Sequence, residues 1–176
     1  MQKLISKAEV LLEALPYIQR FRNEIFVVKY GGSFMDSLDV AVRNGVAGDI
    51  VFLEAVGINP VVVHGGGKAI TRAMEAAGLK PNFIQGMRVT DQATVDVVEQ
   101  VLSREINPDV VKMINDLGGK AKGFSGAEVF TCRKLWLDGP NGEKLDPGFV
   151  GEVVEVNLAP LRECLRRSVT PVISPT

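Results

Sequence analysis

Early in this chain a short β-branched run twice breaks into consecutive glycines and then into a helical pattern, and that repeat constrains the fold more than any other feature. The first run, Ile25-Phe26-Val27-Val28, closes at Gly31-Gly32; the second, Val61-Val62-Val63, closes at His64-Gly65-Gly66-Gly67. Apolar runs without polar alternation read as strands buried on both faces. With a helix after each, they predict an α/β fold: an open, mainly parallel sheet sandwiched by helices in three layers.

Helix signals fill the intervals. Ser37 is placed to cap a helix through Val42, Val46, Ile50 and Leu53 that stops at Gly57, ahead of Pro60. A second helix is expected from about Lys68 to Ala77, with Gly78 ending it. Thr90 or Asp91 begins a third, through Val95, Val98 and Leu102, and Asn107-Pro108 has the signature of an N-cap and first turn for a separate fourth, which Gly118-Gly119 terminates. From Val129 to Val154 the pattern becomes strand-like around Asp138-Gly139-Pro140-Asn141-Gly142, which predicts a projecting hairpin. Leu158 to Arg167 reads as helix, and Val172-Ile173-Ser174 as the start of another buried strand. At the N-terminus, Leu4, Ala8, Leu11, Leu12 and Leu15 form an amphipathic helix that Pro16 should kink or end.

Composition narrows the chemistry. Twenty Lys+Arg against 21 Asp+Glu leave no net positive field for a nucleic-acid backbone or an anionic membrane. The two cysteines, Cys132 and Cys164, form no C-x-x-C pair, and a single histidine cannot complete a familiar zinc cluster, so no metal site is expected and both thiols should be free. No apolar stretch has the length of a signal peptide core or a membrane span, which predicts a soluble, cytoplasmic protein.

Three segments carry candidate chemistry. In Lys29-Tyr30-Gly31-Gly32-Ser33 an ammonium stands beside backbone amides that a bulky anion can approach without Cβ obstruction, which suits phosphate. The lysine precedes the glycines, so this is no Walker A loop; a tight turn with a solvated lysine is the alternative. The triple glycine after His64 opens a strand edge onto the amides of the next helix, where ligands of open α/β sheets bind, although close helix packing alone would also call for glycine. In Gly86-Met87-Arg88-Val89-Thr90-Asp91 the arginine offers a planar fork to a carboxylate, or a surface ion pair. Gly123-Phe124-Ser125-Gly126 lacks one residue of a nucleophile elbow, and the only histidine is far upstream. His64 reads as a packed histidine rather than a catalytic one.

Taken in order, Leu12-Glu13-Ala14-Leu15-Pro16-Tyr17-Ile18, Val28-Lys29-Tyr30-Gly31-Gly32-Ser33, Val62-Val63-His64-Gly65-Gly66-Gly67, Gly86 to Asp91, Ile114-Asn115-Asp116-Leu117-Gly118-Gly119 and Thr170-Pro171-Val172-Ile173-Ser174-Pro175 resemble the amino acid kinase family. The similarity is strongest to members that phosphorylate the side-chain carboxylate of N-acetyl-L-glutamate in arginine biosynthesis, using ATP with Mg2+. The resemblance implies that Lys29 is catalytic, that Gly31, Gly32 and Ser33 bind phosphate, and that Gly66, Gly67 and Arg88 bind the acetylglutamate, with the 138–142 hairpin as part of a lid. It implies a helical extension over residues 1–22 that joins subunits of a homo-oligomer inhibited by L-arginine, and an acetylglutamate-binding domain over 23–176. The family's nucleotide-binding half would lie beyond Thr176, so this chain alone is expected to be inactive. Related members that act on aminoadipate, or that bind arginine without phosphorylating anything, are alternatives, as is a non-catalytic binding module. Ala127-Glu128 departs from the family, which commonly has Lys-Asp after Gly-Phe-Ser-Gly.

Overall fold

A computed structural model of the chain describes residues 2–31 and 40–176. Its frame is a four-stranded parallel sheet of order β1-β2-β10-β5, with β1 at Ile25–Tyr30, β2 at Asn59–His64, β5 at Ala121–Phe124 and β10 at Thr170–Ile173. Strand β2 meets the expectation of a doubly buried run, and all four residues of β10 are buried between β2 and β5. The Ser37 cap lies outside the described residues, but the helix it was to open, α2 (Val40–Ala55), runs to the turn at Gly57, where φ is +85°.

Parallel pairing sorts the side chains by residue parity. On one face Tyr30, Val62 and Val172 pack with Ala47 and Ile50 of α2 and with Val110 and Ile114 of α5 (Asn107–Asp116). On the other, Val61, Phe124 and Ile173 pack with Leu161 and Cys164 of α7 (Leu158–Arg166) and with Val129, which ends the short helix α6 (Gly126–Val129). The three-layer sandwich follows.

Strand β1 corrects one reading: it is not buried on both faces. It forms the sheet edge, and α7 covers the strands beyond it, so Ile25 is 56% exposed and Val27 71%. Helix α1 (Gln2–Phe21) runs through Pro16, so of the two outcomes expected there the helix does not end. Leu12, whose carbonyl the proline leaves without an amide, is 66% exposed, so solvent can take that place.

A second correction concerns Asn107. Helix α4 (Gln92–Glu99) begins as expected, with the Asp91 carboxylate accepting from the Thr94 amide at 2.8 Å. It passes through a π-helical turn, Gln100–Ile106, directly into α5. Asn107 has helical φ and ψ of −59° and −49°, and caps nothing. A proline inside an α-helix crowds the carbonyl four residues back; here the wider π turn covers the residues before Pro108, so the helix continues.

The predicted hairpin is a nested pair: β6 (Phe130–Lys134) with β9 (Gly151–Val156), and inside it β7 (Leu137–Asp138) with β8 (Lys144–Leu145). It docks on Thr90, whose amide donates to Pro147 O at 2.8 Å and whose carbonyl accepts from Phe149 N at 2.7 Å. At this junction Gly148 has φ of +83°, and a Cβ there would overlap the Thr90 backbone. Gly148→Ala should therefore cost about 2 kcal/mol or more of stability. Urea unfolding measures it, and amide exchange should show the loss concentrated in residues 130–156; a change below a few tenths of a kcal/mol contradicts the docking geometry.

Candidate active site

Register decides whether the candidate residues meet. Tyr30 stands opposite His64 and Lys29 opposite Val63, and the amide of Gly65 donates to Tyr30 O at 2.9 Å. Both strands therefore end at one edge of the sheet, and Gly31 and the triple-glycine turn follow directly from it. Lys29 is exposed, on the face of β1 that α7 leaves open. Gly31 follows the strand directly, half-buried, whereas Gly32 and Ser33 lie outside the described residues.

The second turn leads into α3 (Gly67–Ala76), whose N-cap is Gly66, with no side chain capping it. Its first bond of the helical ladder runs from Ile70 N to Gly66 O at 2.9 Å, so the amides of Gly67, Lys68 and Ala69 have no acceptor within the helix. The last two glycines of the turn have different reasons to be there. A Cβ on Gly66 would stand 2.5 Å from Leu102 Cδ2 and 2.7 Å from Ile106 Cδ1, side chains of the π turn. A Cβ on Gly67 would meet nothing within 4 Å. Packing requires the first; the second faces open space.

That space is a cavity of about 540 Å3 walled by Gly67, Lys68, Thr71, Arg72, Phe83 and Arg88. Arg88 comes from the small hairpin of β3 (Phe83–Ile84) and β4 (Met87–Arg88), in which it pairs with Phe83; its guanidinium carbon sits 4.8 Å from the center of the Phe83 ring. From there Nη2 donates to Thr71 Oγ1 at 2.8 Å and to Gly67 O at 3.3 Å, and Nη1 reaches Met74 Sδ at 3.1 Å. The fork is thus fixed in place with N–H donors left over. Lys68, Arg72, Arg88 and the amide end of a helix line this cavity, with no carboxylate among its walls, while most of its exposed wall is apolar; these are residue types that suit an anion carried on an apolar stem. A second groove of about 500 Å3 between α2, α3 and α5 mixes Arg43, Arg72 and Lys112 with Asp109 and Asp116, and has no such bias.

Gly67 and Arg88 are therefore brought together in one cavity wall, whereas Gly66, one residue earlier, lies outside it against Leu102 and Ile106. Lys29 lies on the neighboring strand at the same edge, outside the walls of this cavity. Thr71 and Phe83 were missed from sequence; Thr71, four residues beyond Gly67 on a helix, had the spacing to be found. His64 is 1% exposed, and burial pulls its pKa below the usual imidazole value against a smaller upward pull from Gly65 O. Ser125 is a cap: its hydroxyl accepts from Ala127 N at 3.3 Å, and Glu128 accepts from Ser125 N at 2.7 Å. Glu128 thus completes a capping box with Ser125. Both cysteines are free, Cys164 buried and Cys132 exposed, and no helix among the described residues is long and apolar enough to cross a membrane.

Known proteins resemble the chain along nearly all of its length. Acetylglutamate kinase from Methanocaldococcus jannaschii is 48% identical over 99% of the chain and 60% of that protein, and acetylglutamate kinase from Aquifex aeolicus is 46% identical over 99% and 62%. The chain thus spans about three fifths of the length of these curated relatives. Among solved structures, N-acetylglutamate synthase from Neisseria gonorrhoeae, complexed with coenzyme A and N-acetyl-glutamate, superposes with a TM-score of 0.76 at 23% identity over 94% of this chain and 36% of that one. An isopentenyl phosphate kinase shares the fold more distantly, with a TM-score of 0.52 at 12% identity over 86% and 56%. The sequence model of the amino acid kinase family matches residues 24–176, all four strands of the sheet and both glycine turns included, and the chain belongs to that family.

Proposed function

We propose that this chain supplies the acetylglutamate-binding part of a kinase that transfers the γ-phosphoryl group of ATP to the side-chain carboxylate of N-acetyl-L-glutamate. The observation that carries this reading is the Arg88 fork held by Thr71 and Gly67 beside the uncapped start of α3. N-acetyl-L-glutamate carries two carboxylates: Arg88 takes the α-carboxylate through the N–H donors that its anchors leave over, and the open backbone of Gly67 admits the rest of the molecule along the helix amides. The side-chain carboxylate is thereby directed toward the edge where β1 ends. There Lys29 and the amides of the Gly31-Gly32-Ser33 turn meet the phosphates, lowering the charge that builds on the transferring group. The names of the relatives, two of them acetylglutamate kinases more than 45% identical, support this substrate over aminoadipate or arginine.

No cluster of three or more His, Cys, Asp or Glu side chains among the described residues fits a metal ion. Mg2+ would enter as the counter-ion of the nucleotide phosphates, and no step here is assigned to it. Residues 1–22 act as an assembly element in this reading, supported by Leu11, Leu12 and Tyr17 of α1, which are 64–66% exposed. The partner is a second copy of the chain, and L-arginine inhibits the assembled form.

Two substitution pairs test the site. Gly67→Ala should fold as well as the parent, since alanine is the better helix former, yet lose N-acetyl-L-glutamate binding by thermal shift and calorimetry. Gly66→Ala should instead cost about 1–2 kcal/mol by crowding Leu102 and Ile106. Equal binding by the Gly67→Ala variant and the parent rejects the cavity. Arg88→Lys keeps the charge but loses the fork, and should weaken binding roughly 10- to 100-fold, about 1.4–2.7 kcal/mol. Lys29→Ala should leave that affinity nearly unchanged while removing hydroxylamine-trappable acyl phosphate formation by a polypeptide extended to the length of its relatives. Full turnover without Lys29 would exclude it from phosphoryl transfer.

A further inference from the structure

The side chain of Asn107 lies in the center of the molecule, and its surroundings fix more than its own position. Nδ2 lies 3.0 Å from Val172 O on the central strand β10 and 3.2 Å from His64 Nε2 at the end of β2. A carbonyl can only accept, so the nitrogen of the carboxamide, and not its oxygen, faces Val172. An amide nitrogen can only donate, so His64 Nε2 must be the unprotonated, accepting nitrogen. The ring proton then sits on Nδ1, which is 3.1 Å from Gly65 O and donates to it. Two carbonyls at the ends of the chain of bonds leave one arrangement: Val172 O and Nε2 accept from Asn107, and Gly65 O accepts from Nδ1.

The rest of the fold makes room for this contact. A Cβ on Gly123, in the strand on the far side of β10, would overlap Asn107 Oδ1. Asn107 is 5% exposed and follows directly on the π turn that presses Leu102 and Ile106 against Gly66. A protonated His64 would aim a second N–H at a group that has only N–H to offer, so the geometry opposes protonation, in the same direction as burial.

We infer that Asn107 is a positioning residue for the glycine turn: it holds His64 as the neutral Nδ1–H tautomer, which grips the Gly65 carbonyl and sets the direction of the amides that follow. It is not among the residues that wall the cavity. Its effect on acetylglutamate rests on the proposed function above, whereas the tautomer does not, and the two can be separated.

His64 is the only histidine in the chain, so its two ring nitrogens can be read without assignment ambiguity by long-range 1H–15N correlation NMR. The parent chain should show Nδ1 protonated and Nε2 bare at neutral pH; the opposite pattern overturns the inference at once. Asn107→Leu should release the tautomer into a mixture and speed hydrogen exchange at the Gly66 and Gly67 amides. Asn107→Asp, which can only accept at neutral pH, should draw the proton to Nε2. Thermal melts monitor folding, and if the leucine variant does not fold, Gly123→Ala, which displaces the carboxamide from the opposite side, takes its place. N-acetyl-L-glutamate should bind roughly tenfold or more weakly to the variants, since a small misplacement of binding groups is enough. A released tautomer with unchanged exchange and unchanged affinity overturns the positioning role. If the parent binds no N-acetyl-L-glutamate, the functional reading fails, and the tautomer and the exchange rates decide the role of Asn107 alone.

Discussion

Everything at the site depends on two parallel strands ending level. With Tyr30 opposite His64, the backbone leaves β1 and β2 at the same height, so Gly31 and the Gly65-Gly66-Gly67 turn follow from one edge of the sheet. A shift of one residue would turn Val62 and His64 out of the core and move Arg88's anchor, Gly67, away from Lys29's strand end. The register is held from both sides: Val62 is fully buried beneath α2 and α5, and the central strand β10 pairs with β2 on one edge and β5 on the other.

On this frame the glycines divide the work. Gly66 lets the turn approach the π-helical segment, Gly67 leaves the helix amides open, and Gly123 makes space for the Asn107 carboxamide. Close packing and open space are thus separate demands met within one run of three residues. The arginine fork is treated similarly. Phe83 lies under it, Thr71 and Gly67 fix its angle, and the remaining N–H donors are thereby held in a set direction.

Much of this could be read in the amino-acid sequence, and the misses have physical causes. Strand β2, helices α2, α3 and α7, the hairpin and the Asp91 cap all follow from apolar spacing and turn residues, signals that are local. Strand β5 was missed because Ala121-Lys122-Gly123-Phe124 contains no β-branched residue; it is a strand because β10 pairs with it, and its glycine answers to Asn107 from a helix. Strand β1 carries a buried-strand pattern but lies at the edge. Asn107-Pro108 has the residue types of a helix start, and only the π turn before it reveals a continuous helix. At the proposed site, Gly67 and Arg88 stood out as residue types suited to an anion and Thr71 shares a helix face with Gly67, while Phe83, which lies under the arginine, depends on the pairing of the β3-β4 hairpin.

The most direct test of the central claim is where N-acetyl-L-glutamate perturbs the chain. In a titration followed by backbone and arginine side-chain NMR, the account predicts saturable shifts confined to the amides of Gly65 through Ala69, to Thr71 and to the Arg88 Nε–H. Saturable binding that leaves those signals in place and moves others, such as those lining the groove between α2 and α5, would contradict it.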